Sequence, residues 1–248
     1  MKKDTRWMAI AGIGLAFLCL AMYTVHYMLF HDPHHIFIYF VGDLAFLPLE
    51  ILIVAIIIDR LLESRERKSR MEKLNMVIGT FFSTMGTPLL DMLSNADPGI
   101  GKIKPDLLIE EDWDPKRYHE VRACLDSHEC RVDGDVLDFE NLRTFLLGHE
   151  EFLVRLVENP MVFEHESFTD LILAVTHLAE ELKVRGNLGS LPPADADHLA
   201  GDISRVYERL VPEWLKYMEY LKKNYPYLFS LAMRTNPFDE SASVVIEG

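Results

Sequence analysis

Residues 36–93 read IFIYFVGDLAFLPLEILIVAIIIDRLLESRERKSRMEKLNMVIGTFFSTMGTPLLDML, and the fold turns on how this stretch is understood. Ile36 to Ile58 is apolar apart from Asp43, Pro48 and Glu50. At ~1.5 Å per helical residue, such a run crosses a hydrocarbon core of ~30 Å. It gives way at Asp59-Arg60, and Glu63 to Arg70 reads as a charged turn. Beyond that, Met71, Leu74, Ile78, Phe81 and Met85 recur at spacings of three and four, the a/d pattern of a coiled coil. The pattern lasts only about two heptads, which favours packing within one chain over a dimer seam. Gly79 and Gly86 weaken the helix here, and Pro88 disturbs its end. The stretch predicts one rod, or nearly so, joining a membrane hairpin to a cytoplasmic helical domain.

Working outward to the N-terminus, Trp7 to Phe30 carries no formal charge and predicts a second span. The run is too long for a signal-peptide core, and no small-x-small cleavage site follows it. Cys19 follows Leu18, which argues against a lipoprotein signal. Lys2, Lys3 and Arg6 precede this span, and Arg60, Arg65, Arg67, Lys68, Arg70 and Lys73 follow the other. The loop His31-Asp32-Pro33-His34-His35 has no Lys or Arg. The positive-inside bias therefore predicts a multi-pass protein of the plasma or inner membrane with both termini cytoplasmic. The lipid bilayer is the first expected partner.

Asp43 and Glu50 are costly inside a span. Sixteen Leu, Ile, Val or Phe residues favour insertion, by roughly 5–10 kcal/mol in total, and two central acids at ~2.5–3.5 kcal/mol each offset much of that. The acids are expected to be off-centre, protonated or partnered. Pro48 between them predicts a kink. On the first span Ala9, Gly12, Ala16, Cys19, Tyr23 and His26 form a seam of small residues that turns polar toward the outer end. An antiparallel hairpin sets Asp43 level with Tyr23, His26 slightly further out, and Glu50 level with Ala16. Asp43 is expected to bond Tyr23 or His26, and Glu50 to face a second copy, a water pocket or the first helix. The loop histidines invite a metal or pH-sensor reading, but interfacial loops also carry histidine without one.

The formal net charge of −14 is unevenly placed. Residues 1–73 carry nine Lys/Arg against eight Asp/Glu, and residues 74–248 carry sixteen against thirty-one. A soluble region of net −15 repels phosphate, so nucleic acid is not an expected partner. The three cysteines (Cys19, Cys124 and Cys130) make no disulfide framework and suit a reducing compartment.

Residues 94–105 read as a loop and as the boundary between a juxtamembrane helix (59–93) and a bundle (94–238). Asp114-Pro115 signals a helix start, and that helix runs to about His128. Asp133-Gly134-Asp135 is a turn. A helix from about Asp138 carries Leu142, Phe145, Leu146, Phe152, Leu153 and Leu156 with His149 in register, and stops at Asn159-Pro160. Ser167 to Asp170 opens another with capping-box spacing, closed by Gly186. After Pro192-Pro193, the positions Leu199, Ile203, Val206, Leu210, Trp214, Met218 and Leu221 line one face of a long helix that contains Pro212. A short helix spans 227–234, and 239–248 reads as a disordered tail. No strand alternation competes, so the expected class is all-α, with about four antiparallel helices in the bundle.

Gly42 to Glu50, Glu72 to Gly79, His165 to Asp170 and Asn224 to Phe238 resemble an uncharacterised group of bacterial and archaeal two-span membrane proteins. The resemblance implies two spans and a cytoplasmic helical domain. It brings no activity, cofactor or site.

Candidate chemistry is sparse. His149-Glu150-Glu151, Glu164-His165-Glu166, His177 with Glu180 and Glu181, and Asp195 with His198 and Asp202 offer hard ligands. Iron carboxylate bundles use paired Glu-x-x-His motifs, which this chain lacks, so His149, His165, His177 and His198 stand only as ligand candidates and no metal is assigned. His149 reads as a hydrogen-bonded core histidine, and Glu166 and Asp170 as helix-start residues. Cys124-x3-His128-x-Cys130 lacks a second ligand cluster and reads as free thiols. No phosphate loop, Gly-x-Ser-x-Gly or His-Glu-x-x-His is present, so no catalytic or cofactor-binding residue is named. The aromatic group Trp214, Tyr217, Tyr220, Tyr225, Tyr227 and Phe229 reads as core rather than docking surface. The leading expectation is a non-enzymatic membrane-anchored interaction or sensory module. It has a possible cytoplasmic partner protein and possible self-association through the spans or residues 71–85. The alternatives are a small channel or transporter using Asp43 and Glu50, and a metal-dependent bundle enzyme.

Overall fold

The computed structural model describes residues 2–245, and among these every regular element is helical. The chain divides into two compact units, one ending at Arg67 and the other beginning at Lys68.

In the first unit, α1 (Lys2–Phe30) and the start of α2 (Pro33–Phe81) are joined by two residues. His31 takes a positive φ of 52°, and its N–H bonds Tyr27 O at 2.9 Å, which closes α1. Asp32 Oδ1 accepts from the N–H groups of His34 and His35, and Pro33 stands first in α2. This is an N-cap followed by a proline that has no N–H to leave unsatisfied. The five-residue loop expected from the sequence is therefore shorter, because Pro33, His34 and His35 belong to α2. Asp32 Oδ1, the carboxylate beside those histidines, is thus engaged as a cap. Both helices are long and apolar enough to cross a membrane, with none of their apolar windows buried.

The small-residue seam of α1 is not a packed face. Positions for a Cβ on Gly12, Gly14 and Gly42 have nothing within 4 Å. The contact between the helices lies near the turn, where the His26 and His35 rings stack at 5.7 Å and His35 meets Tyr39 edge-on at 4.7 Å.

No turn interrupts α2 at Glu63 to Arg70. The segment has neither Gly nor Pro, and Glu63/Arg67 and Glu66/Arg70 stand four residues apart, the spacing that favours helix when charges are opposite. Pro48 likewise lies inside α2.

The second unit starts from the tail of α2. Leu74, Ile78, Phe81 and Met85 are buried within this unit, so the a/d seam is an intramolecular face. After Phe81 the helix widens into one π turn, Phe82–Gly86, in which Thr87 N–H bonds Phe82 O. Pro88 supplies no N–H to the α ladder, a common reason for such a turn. Helix α3 (Thr87–Ser94) follows directly. Residues 94–105 are not a domain boundary: Ser94, Ala96, Asp97 and Ile103 are buried, and the stretch holds a 3₁₀ turn, Ile100–Lys102.

Then come α4 (Pro115–Asp126), α5 (Phe139–Gly148), α6 (Glu150–Val157), α7 (Glu166–Val184), α8 (Pro193–Asn224) and α9 (Pro226–Arg234). Asp114 caps α4 by accepting from Arg117 N–H at 2.8 Å, and Asp138 caps α5 by accepting from Asn141 N–H at 3.0 Å. The single helix expected across His149 is two helices. His149 leaves helical geometry (φ −110°, ψ 12°), and its Nδ1 bonds Phe145 O at 2.8 Å. It is half-buried at a helix end and not a core residue.

Helix α8 is the hub, packing against α7 most extensively and also against α3, α4 and α9. Its buried face runs from Leu199 through Tyr207 and Trp214 to Leu221 and passes Pro212 without a break. The aromatic group is graded in depth: Trp214 and Phe229 are core, Trp214 meeting Phe238 edge-on at 5.1 Å, Tyr217 and Tyr225 pack against that core, with Tyr217 stacked on Phe82 at 4.9 Å, and Tyr227 alone of the six is well exposed, at 71%. Beyond Asp239, Glu240 pairs with Lys104 and Arg234 donates to Val244 O. The last residues of the expected tail, 246–248, lie outside the described residues.

Candidate metal centre

Four of the singled-out side chains converge where α7 meets α8. His177 and Glu181 stand four apart on α7, and His198 and Asp202 stand four apart on α8, so each pair shares one helix face. His177 Nε2 lies 3.6 Å from Asp202 Oδ2 and 3.8 Å from Glu181 Oε1. His198 Nε2 lies 3.4 Å from Asp202 Oδ2 and 3.9 Å from Glu181 Oε2. Asp202 thus meets both imidazoles through one oxygen, and Glu181 meets them through its two.

The depth is graded. Asp202 is 3% exposed, whereas the His177 and His198 side chains are 50% and 54% exposed. Guanidinium groups hold one oxygen of each carboxylate. Arg205 Nη1 donates to Asp202 Oδ1 at 2.5 Å, while Asp202 Oδ2, turned to the histidines, is buried and has no hydrogen bond. Arg185 pairs with Glu181 and clamps Asp195 through two bonds of 2.8 and 3.0 Å. The hydrogen bond from Arg185 holds the Asp195 and Glu181 carboxyls below the usual carboxylate range. The Arg185 pKa is raised in return, mainly by its bond to Asp195. Two imidazoles and two carboxylates are a donor set suited to a divalent transition ion.

The other ligand candidates do not join this group. His165 caps α7, its Nδ1 accepting from Phe168 N–H at 3.4 Å. The cap expected at Ser167 therefore lies two residues earlier. Ser167 Oγ instead donates to the buried Glu213 at 2.6 Å, which Lys216 also holds, at 2.7 Å. The apolar periodicity of α8 does not predict burial of either Asp202 or Glu213, since each interrupts an apolar stripe. Cys124, His128 and Cys130 do not form a ligand set. Cys124 is exposed, Cys130 is buried, and His128 Nε2 bonds the buried Asp97 at 3.0 Å. Burial, followed by the nearby Asp97 and Glu208 charges, pushes the Cys130 thiol up to about 12.

Only some of the hairpin candidates gather. Tyr23, His26 and Asp43 line one recess with His35 and Tyr39. His26 Nε2 is buried there with no hydrogen-bond partner, and Asp43 bonds neither Tyr23 nor His26. Glu50 is exposed on α2, away from that recess.

Two family models match the chain. One, described as the N-terminal helical domain of MJ1433, covers residues 2–62. The other, described as the C-terminal helical domain of Uncharacterized protein MJ1433, covers residues 70–234. A curated relative, Uncharacterized protein MJ1433 of Methanocaldococcus jannaschii, is 46% identical over 245 residues, which are 99% of this chain and 98% of that protein. No solved structure matches.

Proposed function

We propose a function from one premise, that this chain belongs to the MJ1433 family of proteins with two helical domains. It is a membrane-anchored interaction or sensory module. The apolar stretches of α1 and α2 form a two-span anchor in the cell membrane, both termini are cytoplasmic, and the acidic bundle is held at the inner face.

One observation carries this reading. Side chains such as Ile10, Phe17, Ile38, Ile53 and Ile57 are about half exposed or more, in helices where no apolar window is buried. Apolar surface on that scale needs a cover, and lipid supplies it. The basic residues flanking the spans support the orientation and suit anionic headgroups. The net −15 of residues 74–248 opposes nucleic-acid binding and leaves a protein partner as the expected cytoplasmic contact. Asp43 and Glu50 have no hydrogen bond or ion pair among the described residues, so in a bilayer a second copy would supply their polar neighbours through the spans.

The test is fractionation and topology. The chain is expected in the membrane fraction, released by detergent but not by alkaline carbonate. A tag after Gly248 is expected to be cut by protease in inside-out vesicles and protected in intact cells. Release by carbonate, or cutting in intact cells, would sink the reading.

A further inference from the structure

We propose that His177, Glu181, His198 and Asp202 bind a divalent first-row transition ion, with Zn(II) as the reference occupant. The inference does not depend on where the chain sits in the cell.

Three observations carry it. The first is spacing. A tetrahedral zinc ion with bonds of ~2.0–2.1 Å has ligand–ligand edges of about 3.3–3.4 Å. The four N···O separations here run from 3.4 to 3.9 Å, and His177, the outermost of the four, joins the other three by turning its half-exposed ring inward. The ligand atoms of Glu181, His198 and Asp202 all lie within 4.8 Å of one another.

The second is the unpartnered oxygen. Asp202 Oδ2 is buried, unbonded and faced by two imidazole nitrogens, neither of which makes a hydrogen bond to it. A buried carboxylate oxygen left without a partner costs stability. A metal ion among the four side chains satisfies it, and the same ion takes the lone pairs of two neutral imidazoles.

The third is support. Arg205 holds Asp202 by its other oxygen, and Arg185 holds Glu181 by Oε2, which leaves Oε1, on the His177 side, free to ligate. Such outer bonds orient carboxylates as single-oxygen ligands and are a regular feature of metal sites. They also distinguish the site from a loose cluster of surface charge. The two carboxylates balance the ion's charge, and the half-exposed histidines leave a path for its entry from solvent.

The experiment uses the full-length chain, stripped of metal, with His31, His34 and His35 changed to Ala so that the hairpin histidines take no ion. Zn(II) is titrated with calorimetry, and Co(II) with visible absorption. One equivalent of Zn(II) per chain is expected, along with the ligand-field bands of four-coordinate Co(II) bound through nitrogen and oxygen. The double variant H177A/H198A is expected to lose at least about tenfold in affinity and to lose the Co(II) bands. D202N is expected to do the same, because it removes the anionic oxygen. H149A, whose imidazole bonds a carbonyl elsewhere, serves as the control with unchanged binding. Both histidines of the double variant are half-exposed, so its helical circular dichroism is expected to match that of the parent, separating loss of metal from loss of fold. Absence of stoichiometric Zn(II) uptake, or Co(II) bands that survive H177A/H198A, leaves an ion-pair network only and overturns the site.

Discussion

Single residues show how strongly context decides chemistry. Cys124 and Cys130 stand six positions apart in the sequence with the same thiol. Burial pushes Cys130 up to about 12, and the carboxylates of Asp97 and Glu208 add to the shift. At pH 8 that thiol is protonated and enclosed, so it lacks the thiolate that reacts. A maleimide is expected to label Cys124 in the native protein at pH 8. Cys130 is expected to react only after denaturation, which mass spectrometry of the labelled peptides would read. Native labelling of both at similar rates would contradict the burial. Spacing singles these residues out together with His128, but it does not show that His128 turns to the buried Asp97 instead.

At the scale of elements, two junctions are sensitive. The π turn brings the Phe81 and Phe82 rings over Gly86, where an added Cβ would lie 2.7 and 2.8 Å from ring carbons. Both rings are fully buried and cannot swing aside. Gly86→Ala is expected to destabilise the unit by about 1–3 kcal/mol, the range for overpacking a core. Chemical denaturation checks it, and a stability equal to the parent's would mean the turn relaxes freely.

The other junction joins α7 to α8 through Arg185. Asp195 has a depressed pKa in the folded state because Arg185 bonds it. Its contribution to stability is therefore present above the unfolded value of ~3.9 and is lost as pH falls through the lower, folded value. Arg185→Ala is expected to lower stability at neutral pH and to flatten the decline below about pH 4, measured in EDTA by thermal melts across pH. An unaltered acid profile would show that the pair contributes nothing.

Over the whole molecule, the two units treat their apolar side chains differently. The residues up to Arg67 leave their apolar side chains uncovered, while those from Lys68 bury theirs within their own unit. The seam at 71–85 is occupied by the chain's own bundle and is not free for a partner, so self-association through it would require the bundle to open. Net charge leans the same way, with residues 1–73 at +1 and residues 74–248 at −15.

Much of this was legible in the chain itself. Apolar runs, helix periodicity and local stop signals such as Asp114-Pro115 and Asn159-Pro160 are short-range properties, so they determine an all-helical protein with two long apolar helices. Tertiary structure decided the rest. Whether Met71 to Met85 faces a partner or its own bundle depends on α8, which lies more than a hundred residues further on. His177-x3-Glu181 and His198-x3-Asp202 are each unremarkable alone, and only the packing of α7 on α8 brings His177 Nε2 to 3.6 Å from Asp202 and His198 Nε2 to 3.9 Å from Glu181. Periodicity reports which face of a helix is apolar. It does not report which polar groups from distant elements meet across that face, because the meeting depends on the register and crossing of helices that share no local sequence.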